Sequence, residues 1–300
     1  MGVVSVNSAP HGSAPTAGTA FTRSPAANAE LALLLEVAGT PKPGNVDRAR
    51  DHPDLHFEHF LAGAVGARPG LEMAAEGSSL GRAFERAVAG MSAQSGGNTQ
   101  FGSLLLLTPL VRPASTATLT PETVTRVVEE TTVDDAVGFY RAFEHVDVAV
   151  GDPPDGMEPL DVRRGAAAVP AVEEREVTLY DIMARSADHD GIAAEWTGGF
   201  ERTFATADRI TDDDGPLTDR AARAFLWLLA DEPDTLLATT QGEEIARSVT
   251  ERAREARERG PNAVETLADE LVAEGLNPGT TADLVAGGLF VALESGEVSV

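Results

Sequence analysis

The chain has 300 residues and 42% apolar composition, enough for one large domain or two ordinary ones with a real core. Its formal net charge of −25 excludes nucleic acid as a partner, because a polyanion needs a basic footprint, and argues against anionic membrane surfaces. It has no cysteine, which excludes disulfides, a thiolate nucleophile and every Cys-ligated zinc or iron–sulfur site.

Residues 1–23 are rich in Gly, Ala, Ser, Thr and Pro and read as a flexible tail, without the basic start and apolar stretch of a signal peptide. With no apolar run of membrane-spanning length, the expectation is a cytoplasmic protein. Ser24-Pro25 reads as a cap and first helical position, and Leu31, Leu34, Leu35 and Ala38 follow on one helical face. Further helices are expected over 57–68 and 79–90. Residues 100–111 are almost wholly apolar and predict a central helix buried on all sides. Thr120-Pro121 opens the next helix, and another spans 133–145. The stretch 147–175, with several Pro and Gly, predicts the least regular part. Helical patterns return over 177–187, 191–210 and 217–231. A charged, exposed helix is expected over 241–259, an amphipathic one around Val264, Leu267, Ala268 and Leu271, and a last one over 279–294 after Asn277-Pro278. The pattern predicts one all-α domain over 24–300: many helices around a buried central one. A homo-oligomer is left open.

Four segments carry chemical signals. Lys42 is the lone lysine, against 22 arginines among the 23 basic residues. An ammonium held between Pro41 and Pro43 in the stiff loop 40–52 suits a fixed anion contact, phosphate above all. Asn45, Asp47, Arg48, Asp51 and His52 share that loop. In Ser95-Gly96-Gly97-Asn98-Thr99, glycines before a helix suit an anion at the helix start, or an ordinary cap. Asn277-Pro278-Gly279-Thr280-Thr281-Ala282-Asp283 is a similar polar helix start ending on an acid. Asp188 and Asp190, with Glu195 one turn on, could hold magnesium through oxygens, or be solvated carboxylates of an acidic chain. His52, His56 and His59 have the spacing of zinc ligands, but Pro53 interrupts the turn, so helix entry and packing are expected of His56 and His59.

At these segments the chain resembles the triphosphoribosyl-dephospho-CoA synthase family. The matching residues are Thr40-Pro41-Lys42-Pro43-Gly44-Asn45-Val46-Asp47, Gly97-Asn98-Thr99 and Asn277 to Asp283. The stretches Asp181 to Trp196 and Asp234 to Gly242 look similar too. The resemblance implies an all-α enzyme that joins ATP to 3′-dephospho-CoA and expels adenine; a related nucleotide glycosyltransferase or nucleosidase with a different acceptor, and a nucleotide-binding protein without catalysis, are the alternatives. Two departures stand out. Bacterial members typically carry Asn-Thr-His-Lys-Gly where this chain has Asn98-Thr99-Gln100-Phe101-Gly102, and Pro-Gly-Gly-Ser-Ala-Asp where it has Thr280-Thr281 in the middle. The chain looks like an archaeal-type branch, and its acid-rich, lysine-poor surface like that of a salt-accumulating halophile. For such a glycosyl transfer, Lys42, the Gly97-Asn98-Thr99 helix start and magnesium are expected to clamp the triphosphate. Gly44, Asn45, Arg48, Asn277, Gly279 and Thr280 are expected to complete the ATP site. Asp47 is the expected base, and Asp283 or Asp190 the carboxylate facing charge on the ribose. Asp188, Asp190 and Glu195 are the expected magnesium ligands.

Overall fold

The computed structural model describes residues 23–153 and 156–300, so the expectation for the tail falls outside the described residues apart from Arg23. These residues are all-α, with no strand among them beyond two isolated bridges inside the 47–55 loop. The α-helices are α1 (Pro25–Ala38), α2 (Phe57–Ala75), α3 (Leu80–Met91), α4 (Phe101–Thr116), α5 (Pro121–Glu129), α6 (Val133–Ala142), α7 (Val169–Glu174) and α8 (Leu179–Ser186). They continue with α9 (Gly191–Thr197), α10 (Glu201–Asp212), α11 (Leu217–Asp231), α12 (Thr235–Gln241), α13 (Glu243–Arg259), α14 (Pro261–Ala273) and α15 (Gly279–Ser295). Irregular chain with two 3-10 turns joins α6 to α7.

The expected central helix is α4, with nearly every residue from Phe101 to Pro113 buried. It shares that position with α15, whose residues from Leu284 to Leu293 are all buried and which packs on α1, α4, α10 and α11. Prolines at 109 and 113 do not end α4. Pro109 supplies no N–H to the Leu105 carbonyl, and the buried Trp196 indole of α9 donates to it instead, at 3.2 Å. That bond ties α9 to the central helix.

Three expected boundaries differ. Helix α2 runs on past Arg68-Pro69-Gly70 to Ala75; the carbonyl that Pro69 leaves without its helical donor belongs to Val65, a residue 58% exposed. The single helix expected over 191–210 is two. Gly198 and Gly199 break it, and Phe200 adopts a left-handed conformation with φ 60° before α10 begins. A separate short helix, α12, precedes the charged α13, begun by the Asp234 cap and closed by Gly242 at φ 95°. As expected, His56 and His59 build a helix entry: the His56 N–H donates to His59 Nδ1 at 3.1 Å and the rings stack.

Candidate functional site

A cavity of about 460 Å³ opens between α1, α4, α6, α8, α9, α12 and α15, with the stretches 147–153 and 157–162 as one wall. One side is apolar, built from Phe101, Phe139, Phe143, Met157, Leu160 and Met183. The other is polar, built from Glu36, Asn45, Asn98, Thr99, Gln100, Ser103, Asp190, Asn277, Thr280 and Asp283.

The polar side is where several helices begin. Asn98 Oδ1 caps α4 by accepting from the Phe101 N–H at 3.1 Å. Asp190 Oδ1 caps α9, accepting from Ile192 at 2.9 Å and Ala193 at 2.8 Å. Asp234 is buried and closes two helices at once. Its Oδ1 accepts from the Leu237 N–H of α12 at 3.0 Å, and its Oδ2 accepts from the N–H and hydroxyl of Thr281 on α15 at 2.7 and 2.8 Å. Thr235 Oγ1 accepts from the Gly191 N–H at 3.0 Å and lies 3.0 Å from Thr280 Oγ1. These positive helix ends are thus met by the protein's own oxygens.

Asp283, one turn into α15, reaches across to the first turn of α4. Ser103 Oγ donates to it at 2.5 Å, and a Cβ on Gly102 would fall 2.0 Å from its Oδ2, so glycine is what admits the carboxyl there. Burial, then the nearby Glu36 and Asp234 charges, push its pKa up to about 8 against the opposing Ser103 hydrogen bonds, so at neutral pH it holds a proton. Burial also raises the pKa of Asp234, opposed by the backbone N–H groups it accepts from.

Glu36 is a carboxylate that the sequence does not flag by motif, although an acid inside the apolar run Leu33–Ala38 is a signal. It faces the cavity, and the Lys42 ammonium donates to it from behind. Burial raises its pKa and Lys42 pulls it back. Lys42 itself is 0% exposed, donates also to Asn45 Oδ1 at 3.0 Å, and lies 5.8 Å from the centre of the Phe225 ring. The triphosphate clamp expected of it has no direct route: its ammonium is spent on Glu36 and Asn45 and is absent from the cavity wall. Asn45 does reach the wall and donates to Asn277 Oδ1 at 2.9 Å, joining the first loop to the last helix start.

Asp47 is also displaced from its expected role as base. It is 0% exposed and off the wall. It accepts from Thr40 Oγ1 at 2.8 Å, the Lys42 N–H at 3.1 Å, the Ala49 N–H at 2.7 Å and Arg50 at 3.3 Å. It holds the loop's shape. Gly44, at φ 79°, gives that loop its close approach to the Leu276 carbonyl, which a Cβ would meet at 2.3 Å. Arg48 is exposed and donates to the Ala38 carbonyl at 3.1 Å, and Gly97 is exposed; both lie off the wall.

The expected magnesium ligands do not assemble. Asp188 is exposed, Asp190 caps α9, and buried Glu195 accepts from Arg202 Nε at 3.0 Å and the Thr203 N–H at 2.9 Å. Among the described residues no group of three His, Asp or Glu is placed to hold a metal. Of the nominated residues, Asn45, Asn98, Thr99, Asp190, Asn277, Gly279, Thr280 and Asp283 meet at the cavity. Sequence reasoning missed Glu36, Gln100, Ser103, Thr235, Arg185 and the wall formed by 147–153 and 157–162.

The geometry defines an all-α protein with one deep, half-apolar and acid-rich cavity of a size for small organic molecules. The family described as ATP:dephospho-CoA triphosphoribosyl transferase matches residues 22–299, and the chain belongs to it. A crystal structure of a candidate triphosphoribosyl-dephospho-CoA synthase from Archaeoglobus fulgidus is 28% identical, with a TM-score of 0.67, over 80% of this chain and 99% of its own. No curated protein sequence gives a significant match.

Proposed function

We propose that this protein transfers the triphosphoribosyl part of ATP to 3′-dephospho-CoA and releases adenine. One observation carries the reading beyond family membership. All five stretches of the resemblance, scattered from the first loop to the last helix, put residues on the same cavity wall: Asn45; Asn98 and Thr99; Met183, Ser186, His189 and Asp190; Thr235; and Asn277, Gly279, Thr280, Ala282 and Asp283.

In this reaction the acceptor's ribose hydroxyl attacks the anomeric carbon of ATP's ribose, and the bond to adenine breaks through an oxocarbenium-like transition state. The hydroxyl loses a proton and adenine gains one. Asp190, whose Oδ2 is not used in capping, takes the hydroxyl proton. Glu36, fixed by Lys42, faces the positive charge on the ribose. Asp283, which keeps its proton near neutrality, supplies adenine. Asn45, Asn98, Thr99, Asn277, Gly279 and Thr280 bind ATP. The residues present do not fit a resident magnesium site, so magnesium enters as the counter-ion of ATP's own triphosphate. The acidic, lysine-poor composition and the lack of a described helix able to cross a membrane support the cytoplasm of a salt-accumulating organism as the setting.

The test is adenine release from ATP with magnesium in high potassium chloride, with and without 3′-dephospho-CoA. Adenine formed only with the acceptor, plus an acceptor mass gain of one triphosphoribosyl unit, supports the reading. Adenine formed without it points to another acceptor, a reading favoured by Gln100-Phe101 standing where bacterial members carry His-Lys. No adenine in either arm overturns the proposal.

A further inference from the structure

We infer that Thr99 and Gln100 form a subsite that reads the edge of an adenine ring, with the Gln100 carboxamide as the reading group. The inference rests on the reading of ATP and dephospho-CoA as substrates, both of which carry adenine.

Gln100 is 3% exposed and lines the cavity, yet neither its Oε1 nor its Nε2 has a hydrogen-bond partner. The Thr99 hydroxyl beside it is also buried, lines the cavity and is unpartnered. Buried polar groups are nearly always satisfied, so adjacent orphans on two residues that border one cavity mark a place that a ligand completes when the amide turns out of its notch against α2. The fold makes room for them. Gly63 of α2 leaves a notch into which both side chains fit: a Cβ there would fall 2.6 Å from Thr99 Oγ1 and 3.2 Å from Gln100 Oε1. An alanine at 63 would displace the very groups that lack partners.

The chemistry of the orphans names the ligand class. A carboxamide presents one acceptor and one donor side by side in a plane. Adenine offers the complement, an N6–H donor next to a ring-nitrogen acceptor, and Gln pairs with it through both atoms. Phe60 and Phe101, both on the cavity wall, supply flat apolar surface to the same cavity. Gln100 and Ser103 lie three residues apart at the start of α4, so a base held by Gln100 lies near the Ser103–Asp283 pair.

The test compares wild type with Gln100→Met, which keeps length and removes both amide atoms. Dissociation constants are measured by calorimetry for ATP, for purine riboside triphosphate (which lacks the 6-amino group) and for 3′-dephospho-CoA. Wild type is expected to bind ATP at least tenfold more tightly than the purine analogue, and Gln100→Met to bring that ratio close to one. If the acceptor's adenine is the one read, the tenfold loss appears in dephospho-CoA binding instead. Removing orphaned polar atoms should leave the ligand-free variant as heat-stable as wild type or more so, whereas a structural glutamine would lower its melting temperature. Unchanged affinity for both adenine compounds, or a drop in ligand-free stability that accounts for the loss, overturns the inference. The reaction is judged separately. A wild type that binds ATP through Gln100 and releases no adenine refutes the transfer reading and keeps the subsite. Adenine release with no Gln100-dependent selectivity does the reverse.

Discussion

Replacing Lys42 by methionine keeps a side chain of similar length and removes its charge. The ammonium is fully buried, and its partner Glu36 has a side chain only 4% exposed. Removing one member of such a pair leaves the other uncompensated in a low-dielectric interior, at a cost of about 3–5 kcal/mol. Methionine retains the contact with Phe225, so packing loss adds little. The expected loss is therefore about 3–5 kcal/mol in urea unfolding at pH 7 and fixed high salt. It must also depend on pH. Without Lys42 nothing opposes burial, and the Glu36 carboxyl moves further above its ordinary 4.5. A carboxyl whose folded pKa is raised binds more protons folded than unfolded, so its contribution to stability falls as pH rises. The deficit of the variant should accordingly narrow on acidification, by up to about 1.4 kcal/mol per pH unit. Combining Lys42→Met with Glu36→Gln removes the stranded charge and should recover most of the loss. A single-variant loss below about 1 kcal/mol, or a double variant no more stable than the single, would refute the pair as the support of this wall.

Further outcomes follow from the same geometry. The raised pKa of Asp283 makes the native state lose stability as pH climbs from its ordinary 3.8 towards about 8, and Asp283→Asn should flatten that part of the stability curve. Unfolding midpoints taken across the range check this, and an unchanged slope argues against a protonated Asp283. Trp196→Phe leaves the buried Leu105 carbonyl without a donor and should cost about 1–3 kcal/mol, read by thermal or urea unfolding; a neutral result means the carbonyl finds another partner.

Much of the fold is legible in the sequence, because caps and spacings are local. Ser24-Pro25, Thr120-Pro121 and the unbroken Leu104–Leu107 run each state their element directly. Two misread boundaries rest on local signals that periodicity passes over, the Gly198-Gly199 break and the Asp234 cap closed by Gly242, but whether proline ends a helix depends on where the freed carbonyl lies, at an exposed residue for Val65 and under the Trp196 indole for Leu105. The site divides in the same way. The singular status of Lys42 is plain in the composition, but whether its ammonium faces a phosphate or a carboxylate depends on how the loop folds back on α1. Gln100 stands out as a departure from the family pattern, yet its burial without a partner is visible only once α2 lies beside it. The wall formed by 147–153 and 157–162 carries no periodicity at all, so nothing local marks it as part of a cavity.

Helix ends are usually where opening begins, each fraying at its own low free energy. Here the starts of α9, α12 and α15 close one another through Asp234, Thr235 and Thr280. The amide protons of Gly191, Leu237 and Thr281 therefore share one opening event, and their exchange with solvent reports a common free energy in place of three local ones. Parts of the chain made at widely different times during synthesis are bound into a single cooperative rim. A molecule that steadies any one of these helix starts steadies them all.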